Sequence, residues 1–206
     1  MERREQSAKW NKAYCQQGTL WTGKPRFGFA LPSGARVLEL GCGNGKTLAA
    51  LPKDCVITAI DSSKKAVELC RAAAPGARVL QADACELPFG QGEFDAVVAF
   101  HVLDHLAAAD RDKAVAEIRR VLAPGGRVFV KVFSTNDMRC GKGRPAGEAG
   151  TFLRGKDGII YHYFTEGELN ALFSRFRQKS LCPDRRKVRY RSGDYQREEL
   201  AAEYEK

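Results

Sequence analysis

The chain has 206 residues, 44% hydrophobic and 29% charged, with a formal net charge of +9. That length suits one domain with a sizeable core, and the mixture is ordinary for a globular protein. No apolar run approaches the roughly 20 residues that cross a bilayer, and the start, Met1-Glu2-Arg3-Arg4-Glu5, lacks an apolar secretory segment. Seven scattered cysteines (15, 42, 55, 70, 85, 140 and 182) form no Cys-x-x-Cys pair, a pattern of reduced thiols and not of a disulfide framework or zinc site. The expectation is a cytoplasmic protein with no membrane partner and no metal.

Residues 1–18 are predicted helical, with Trp10 and Tyr14 four apart on one face. Residues 19–29 read as a loop. Strand and helix then alternate: strands at 36–40, 55–60, 78–82, 94–100 and 126–133, helices at 44–51, 63–73 and 110–122. Such alternation implies a parallel sheet with helices on both faces, and ligands bind beyond the carboxyl ends of its strands. Gly41, Gly43 and Gly45, spaced Gly-x-Gly-x-Gly, make the first strand-to-helix turn. Glycine there permits positive φ and lets a ligand approach the backbone without meeting a Cβ. Asp61 ends the second strand and Asp83 the third.

Residues 134–158 break the pattern with six glycines and several cations, so a mobile loop over the site is expected. Thr165 and Glu168 form a capping box that opens a helix running to about Ser174. Residues 179–182 and 187–191 are predicted to complete the sheet as an antiparallel hairpin, and 194–206 to form a frayed polar helix. The division is one domain over 1–206: an N-terminal helix and loop (1–30), a core (36–133), the mobile loop (134–158), and a C-terminal helix, hairpin and basic tail (159–206).

The turn Val37-Leu38-Glu39-Leu40-Gly41-Cys42-Gly43-Asn44-Gly45 resembles the first motif of class I S-adenosylmethionine (SAM) methyltransferases. Asp61, Asp83 and the turn Leu122-Ala123-Pro124-Gly125-Gly126 follow in that family's order, and the resemblance covers roughly residues 36–133. It implies a Rossmann-like, doubly wound, mostly parallel seven-stranded sheet that binds SAM and releases S-adenosyl-L-homocysteine (SAH). The implied cofactor residues are Glu39, Gly41, Cys42, Gly43, Gly45, Asp61, Ser62, Asp83, Ala84 and Phe100. Asp61 matches the ribose position and Asp83 the adenine position. A dinucleotide-binding α/β domain is the alternative, since it shares glycine turns and strand-end acids. Residues 21–25, Trp-Thr-Gly-Lys-Pro, are similar to a loop of some small-molecule methyltransferases.

Methyl transfer from a sulfonium depends on alignment and exclusion of water, and a base is needed only where the acceptor must lose a proton. The candidates for that role are His101, Asp104, His105 and His162. His101 and His105, four apart, lack a third ligand for a metal, and His105 also reads as a structural helix-start residue. The segment 161–169 is similar to one in methyltransferases acting on wobble uridines of tRNA, and to one in tellurite-resistance-type methyltransferases. Tyr161 and His162 are therefore substrate-binding candidates.

Charge is uneven. Residues 27–130 are balanced, whereas residues 175–191 hold eight basic side chains against Asp184 alone. Such a stripe attracts phosphate backbones, which makes RNA a candidate partner through Arg185, Arg186 and Lys187. Equally, lysine and arginine guard the edge of a sheet. The readings that stay open are an RNA methyltransferase, an enzyme acting on a small molecule or protein side chain, and a catalytically silent binding subunit.

Overall fold

A computed structural model of the chain describes residues 3–20, 22, 28–155, 158–190 and 193–206. The loop 21–25 lies outside the described residues except for Thr22. Five strands alternate with helices in the first two thirds: β1 (Arg36–Leu40), β2 (Val56–Asp61), β3 (Arg78–Gln81), β4 (Phe94–Phe100) and β5 (Leu122–Phe133). Helix α1 (Arg3–Gln17) precedes them, α2 (Lys64–Ala73) joins β2 to β3, and α3 (Ala108–Val121) joins β4 to β5. The five strands pair in parallel. In β1, Val37 packs into one core cluster while Leu38 and Leu40 pack into another. Both faces of the strand are therefore covered, as a parallel sheet requires.

The predicted helix at 44–51 is only a short 3-10 turn at Leu48–Ala50. Ser63 caps α2 by accepting the Ala66 amide at 3.1 Å. Beyond β5, the segment read as one long loop contains strands. β6 (Arg144–Pro145), β7 (Thr151–Arg154) and β8 (Ile159–His162) form a small antiparallel sheet. Next comes α4 (Glu166–Leu172), which ends two residues short of the predicted Ser174 and forms half of the predicted capping box: Thr165 accepts the Glu168 amide at 3.1 Å, while the Glu168 carboxylate turns to His162.

The largest departure lies after α4. The hairpin is far longer than predicted: β9 (Arg177–Tyr190) pairs antiparallel with β10 (Gly193–Glu205). Residues 194–206 are thus mainly a strand and not a helix. The helix formers Leu200, Ala201, Ala202 and Glu203 are overridden by burial at period two, which places Glu198, Leu200, Ala202 and Tyr204 on the inside. β10 also inserts between β5 and β9, so the sheet order is β3-β2-β1-β4-β5-β10-β9. Seven strands, mostly parallel, with a C-terminal antiparallel hairpin, match the expected fold class. No helix among the described residues is long and apolar enough to cross a membrane.

Candidate active site

A cavity of about 1100 Å³ lies across the carboxyl ends of the parallel strands, lined by Gly41, Cys42 and Gly43 after β1, Asp61 and Ser62 after β2, and Asp83 and Ala84 after β3. Phe100 and His101 line it after β4, and α1 closes one side with Arg3, Ser7 and Trp10.

The glycine turn has the backbone that its residues permit, with φ of 64° at Gly41 and 53° at Gly43. A Cβ on Gly41 would stand 2.5 Å from Val102 Cγ2. Gly45 serves packing: a Cβ there would approach Ala73 Cβ at 3.2 Å and Cys70 Sγ at 3.5 Å. Cys42 is buried in the cluster that seats α2, so its small side chain fills space behind the turn.

Asp61 accepts the Gly43 amide at 2.9 Å and the Ser63 amide at 2.8 Å, one on each carboxylate oxygen. Burial raises its pKa, and those amide bonds work in the opposite direction. Each oxygen keeps a further lone pair for a ligand hydroxyl. Glu39 is buried behind the turn, its pKa pushed well above the usual carboxylate range by desolvation, and its Oε2 has no hydrogen-bond partner. An open glycine cradle, a strand-end carboxylate and an unmatched buried oxygen fit a ligand with hydroxyl and amine donors, as SAM has. Asp83 is engaged twice: it accepts the Cys85 amide at 2.8 Å and pairs with Arg3 of α1 at 3.0 Å. Arg3 is one functional candidate that the strand-end motifs could not reveal.

The other end of the cavity centres on His101. Its φ of 56° makes it the one non-glycine residue with positive φ among the described residues, a strained conformation of the sort that clusters at functional sites. Its ring stacks on Phe133 at 4.5 Å, with Nδ1 3.2 Å from Asp104 and Nε2 3.5 Å from Glu199. Burial pushes its pKa down, but the bonds to Asp104 and Glu199 outweigh that and raise it to about 9. Glu199 shows the reciprocal effect: burial opposes ionisation, yet His101 and neighbouring arginines bring it to about 2. Asp104 is fully buried and also accepts the Phe133 amide at 2.6 Å. It orients His101 and fixes the end of β5.

His105 is buried, with Nδ1 2.7 Å from the Ile160 carbonyl. A carbonyl only accepts, so Nδ1 carries the proton and Nε2 is left as a lone pair. Burial lowers this histidine to about 4, and Nε2 has no hydrogen-bond partner. Tyr161 packs edge-on against it at 4.7 Å, and Trp10 does so from α1 at the same distance.

His162 has a different setting. Its side chain is fully buried, bonded to Thr151 at 2.6 Å and Glu168 at 2.7 Å, and it is absent from the cavity lining. Burial lowers its pKa. His162 thus ties β7, β8 and α4 together outside the cavity lining, unlike His101 and His105. Glu148, His162 and Glu168 lie close enough to suggest a metal trio. However, the guanidinium of buried Arg111 already sits between both carboxylates, at 2.5 Å from Glu148 and 3.9 Å from Glu168.

The basic stripe falls on β9, an outer strand of the sheet. Arg186 reaches the cavity, joined there by Lys131, Arg139 and Arg197, whereas Arg185 and Lys187 do not line it. Five stripe cations face acids on β10: Arg177 and Lys179 pair with Glu205, Arg185 with Glu198, Arg186 with Glu199, and Arg189 with Asp194. Arg139, Arg197 and Glu199 were missed by sequence reasoning. The clue was the alternation in 198–204, which separates an inward row from the row holding Arg197 and Glu199.

The pattern of the methyltransferase domain family matches residues 38–130. A tRNA (carboxymethyluridine(34)-5-O)-methyltransferase of Arabidopsis thaliana is 38% identical over 115 residues, covering 55% of this chain and 28% of that protein. The O-methyltransferase cnsE of Penicillium expansum is 38% identical over 105 residues, covering 47% of this chain and 37% of that protein. The chain therefore spans well under two thirds of the length of these curated relatives. Among solved structures, a SAM-dependent methyltransferase from Methanosarcina mazei superposes with a TM-score of 0.70 at 26% identity, covering 85% of this chain and 94% of that one.

Proposed function

We propose that this chain, whose residues 38–130 match the methyltransferase domain family, is a SAM-dependent enzyme that methylates a carboxylate, forming a methyl ester without a general base. SAM, when bound, supplies a methyl group activated on a sulfonium. Glu39, the glycine turn and Asp61 would hold it, with Asp83 and Ala84 beside the adenine end.

One observation carries the proposal: among the described residues, none of His101, His105 and Glu199 is poised to take a proton at neutral pH. His101, at about 9, already holds one. His105, at about 4, and Glu199, at about 2, are weak proton acceptors. A carboxylate has a pKa of roughly 4 and arrives ionised. The cavity wall suits it. His101, Lys131, Arg139, Arg186 and Arg197 line that end against Asp184 and Glu199, with Asp104 and Asp137 as carboxylates paired behind them. The balance is cationic and steers an anion inward. Stacked on Phe133, the His101 imidazolium would orient the acceptor oxygen.

The reading predicts a particular label. Methyl-tritiated SAM, incubated with the protein and RNA, protein and small-molecule fractions, should yield label released as volatile methanol by mild alkali. Alkali-stable label in every fraction would overturn the carboxylate.

We place the carboxylate on RNA first, because relatives carry tRNA carboxymethyluridine in their names and Arg186 links the cavity to the exposed basic strand. A small-molecule acid is the second reading, favoured by the pairing of five stripe cations with acids on β10.

A further inference from the structure

Asp104, Asp137 and Glu199 all pair with cations that line the acceptor end, but they are held in two different ways. Asp104 is fully buried behind His101, and its other oxygen accepts the Phe133 amide at 2.6 Å. Asp137 is fully buried behind Arg197, at 2.6 Å, and accepts the backbone amides of Arg139 and Glu198. Both carboxylates are thus locked by backbone. Glu199 is partly exposed and lines the cavity itself, and among the described residues its carboxylate meets only side-chain cations. One oxygen faces Arg186 at 3.2 Å and Arg197 at 3.8 Å, and the other faces His101 Nε2 at 3.5 Å.

This is a carboxylate seat with fixed backing and a movable front. Without Glu199, His101 would keep Asp104 and Arg197 would keep Asp137, so both cations stay aimed into the cavity. Removing a partner from a buried pair leaves an uncompensated charge, whereas exchanging one carboxylate for another keeps every cation paired. His101 is committed to the seat by its backbone, at φ 56°, and by its stack on Phe133.

We infer that Glu199 is a placeholder: a ligand's carboxylate takes its position among His101, Arg186 and Arg197, and Glu199 swings out. The inference rests on the carboxylate reading only in naming the acceptor as the incoming anion.

The test uses the full chain saturated with SAH, with phenylacetate as probe and phenylacetamide, its neutral counterpart, as control. Glu199→Gln should bind phenylacetate about tenfold more tightly than wild type, near the lower end of what a hydrogen bond to a charged group is worth. Glu199→Asp keeps the charge but shortens the reach, so its binding should tighten in the same direction. Phenylacetamide should gain nothing in either variant. A gain confined to Glu199→Gln is relief of charge alone and overturns the placeholder, as does unchanged or weaker binding in both. Glu199→Asp decides by itself if Glu199→Gln does not fold.

A second readout follows the His101 ring by NMR. In Glu199→Gln its pKa should fall, because one of its two carboxylates is gone. Saturating phenylacetate should raise it again, and phenylacetamide should not. A ring indifferent to phenylacetate overturns the exchange. Ester formation is scored separately, as alkali-labile label on phenylacetate. Ester without the gain in affinity keeps the carboxylate reading and removes the placeholder; the gain without ester keeps the seat and removes the carboxylate as acceptor. Displacement of phenylacetate is then measured with a stem-loop RNA bearing one carboxymethyl group and with the same RNA lacking it. Displacement by the first alone places the incoming carboxylate on RNA, and displacement by neither places it on a free acid.

Discussion

The two halves of the cleft are built on different principles. The cofactor half comes from consecutive parallel strands whose ends deliver backbone turns and single carboxylates, Gly41 to Gly43, Asp61 and Asp83. Its polar groups act mostly through backbone amides. The acceptor half is made by β5, β10 and the small β6–β8 sheet, and is dominated by ion pairs among His101, Glu199, Arg186 and Arg197. Geometry that holds an invariant ligand can reside in a turn, whereas geometry that selects an acceptor is assembled from side chains far apart in sequence.

The sharpest break of this comparison is Gly43→Val. A branched side chain at φ 53° is strained and occupies the ligand's approach. SAH binding should disappear in calorimetry while circular dichroism stays native. Normal affinity would make the turn merely structural.

Next in size is the pH response of the acceptor half. The folded pKa of His101, about 9, lies above the ordinary histidine value, so its stabilisation is complete below about 6.5 and lost as pH rises through 9, roughly 3 kcal/mol in all. Urea midpoints measured at pH 6, 7.5 and 9.5 should fall in wild type and fall much less in His101→Gln. Parallel curves would mean that the His101–Glu199 pair contributes nothing. Glu199 acts with the opposite sign, its contribution lost as pH drops toward about 2.

Within the cofactor half, Asp61→Ala should weaken SAM binding by roughly 1.5–3 kcal/mol, the loss of hydrogen bonds to a charged group. Because Asp61 also accepts two backbone amides, the melting temperature should drop too. Unchanged affinity in calorimetry would remove Asp61 from the ribose.

The smallest effect concerns β9. Neutralising Arg185, Arg186 and Lys187 together should lower RNA affinity alike for all sequences and shrink the log–log salt slope by about 0.7–0.9 per lost phosphate contact. Two of the three already face glutamates, so a change of less than three contacts is expected. Overlapping salt curves would leave β9 as an edge guard.

The same contrast explains what could be read without coordinates. The positions of Glu39, the glycine turn, Asp61 and Asp83 at the ends of β1, β2 and β3 were legible because each is tied to its strand by local spacing. The Thr165 cap was legible for the same reason, whereas the turn of the Glu168 carboxylate to His162 was not. The burial of His162 was not legible, because its local segment could not reveal that Thr151 and Glu168 would bond its two ring nitrogens. Residues 194–206 misled because Ala, Leu and Glu favour helix, and only the β5 surface makes period two the lower-energy arrangement. Arg139 lay in a stretch read as a loop, with no periodicity to mark it.

The insertion of β10 between β5 and β9 also orders events in time. β1 with β2, β2 with β3 and β4 with β5 pair across short connections that carry at most one helix, whereas β1 closes on β4 across 59 residues (Val37 with Ala96). β9 emerges before the strand that joins it to the sheet, and β10 must close on β5 across more than 60 residues (Glu199 with Phe133). Closing such loops is slow, because chain entropy is lost before the contacts form. Each half of the cleft therefore waits on one long closure, β1 on β4 and β5 on β10, and neither is complete until its own is made.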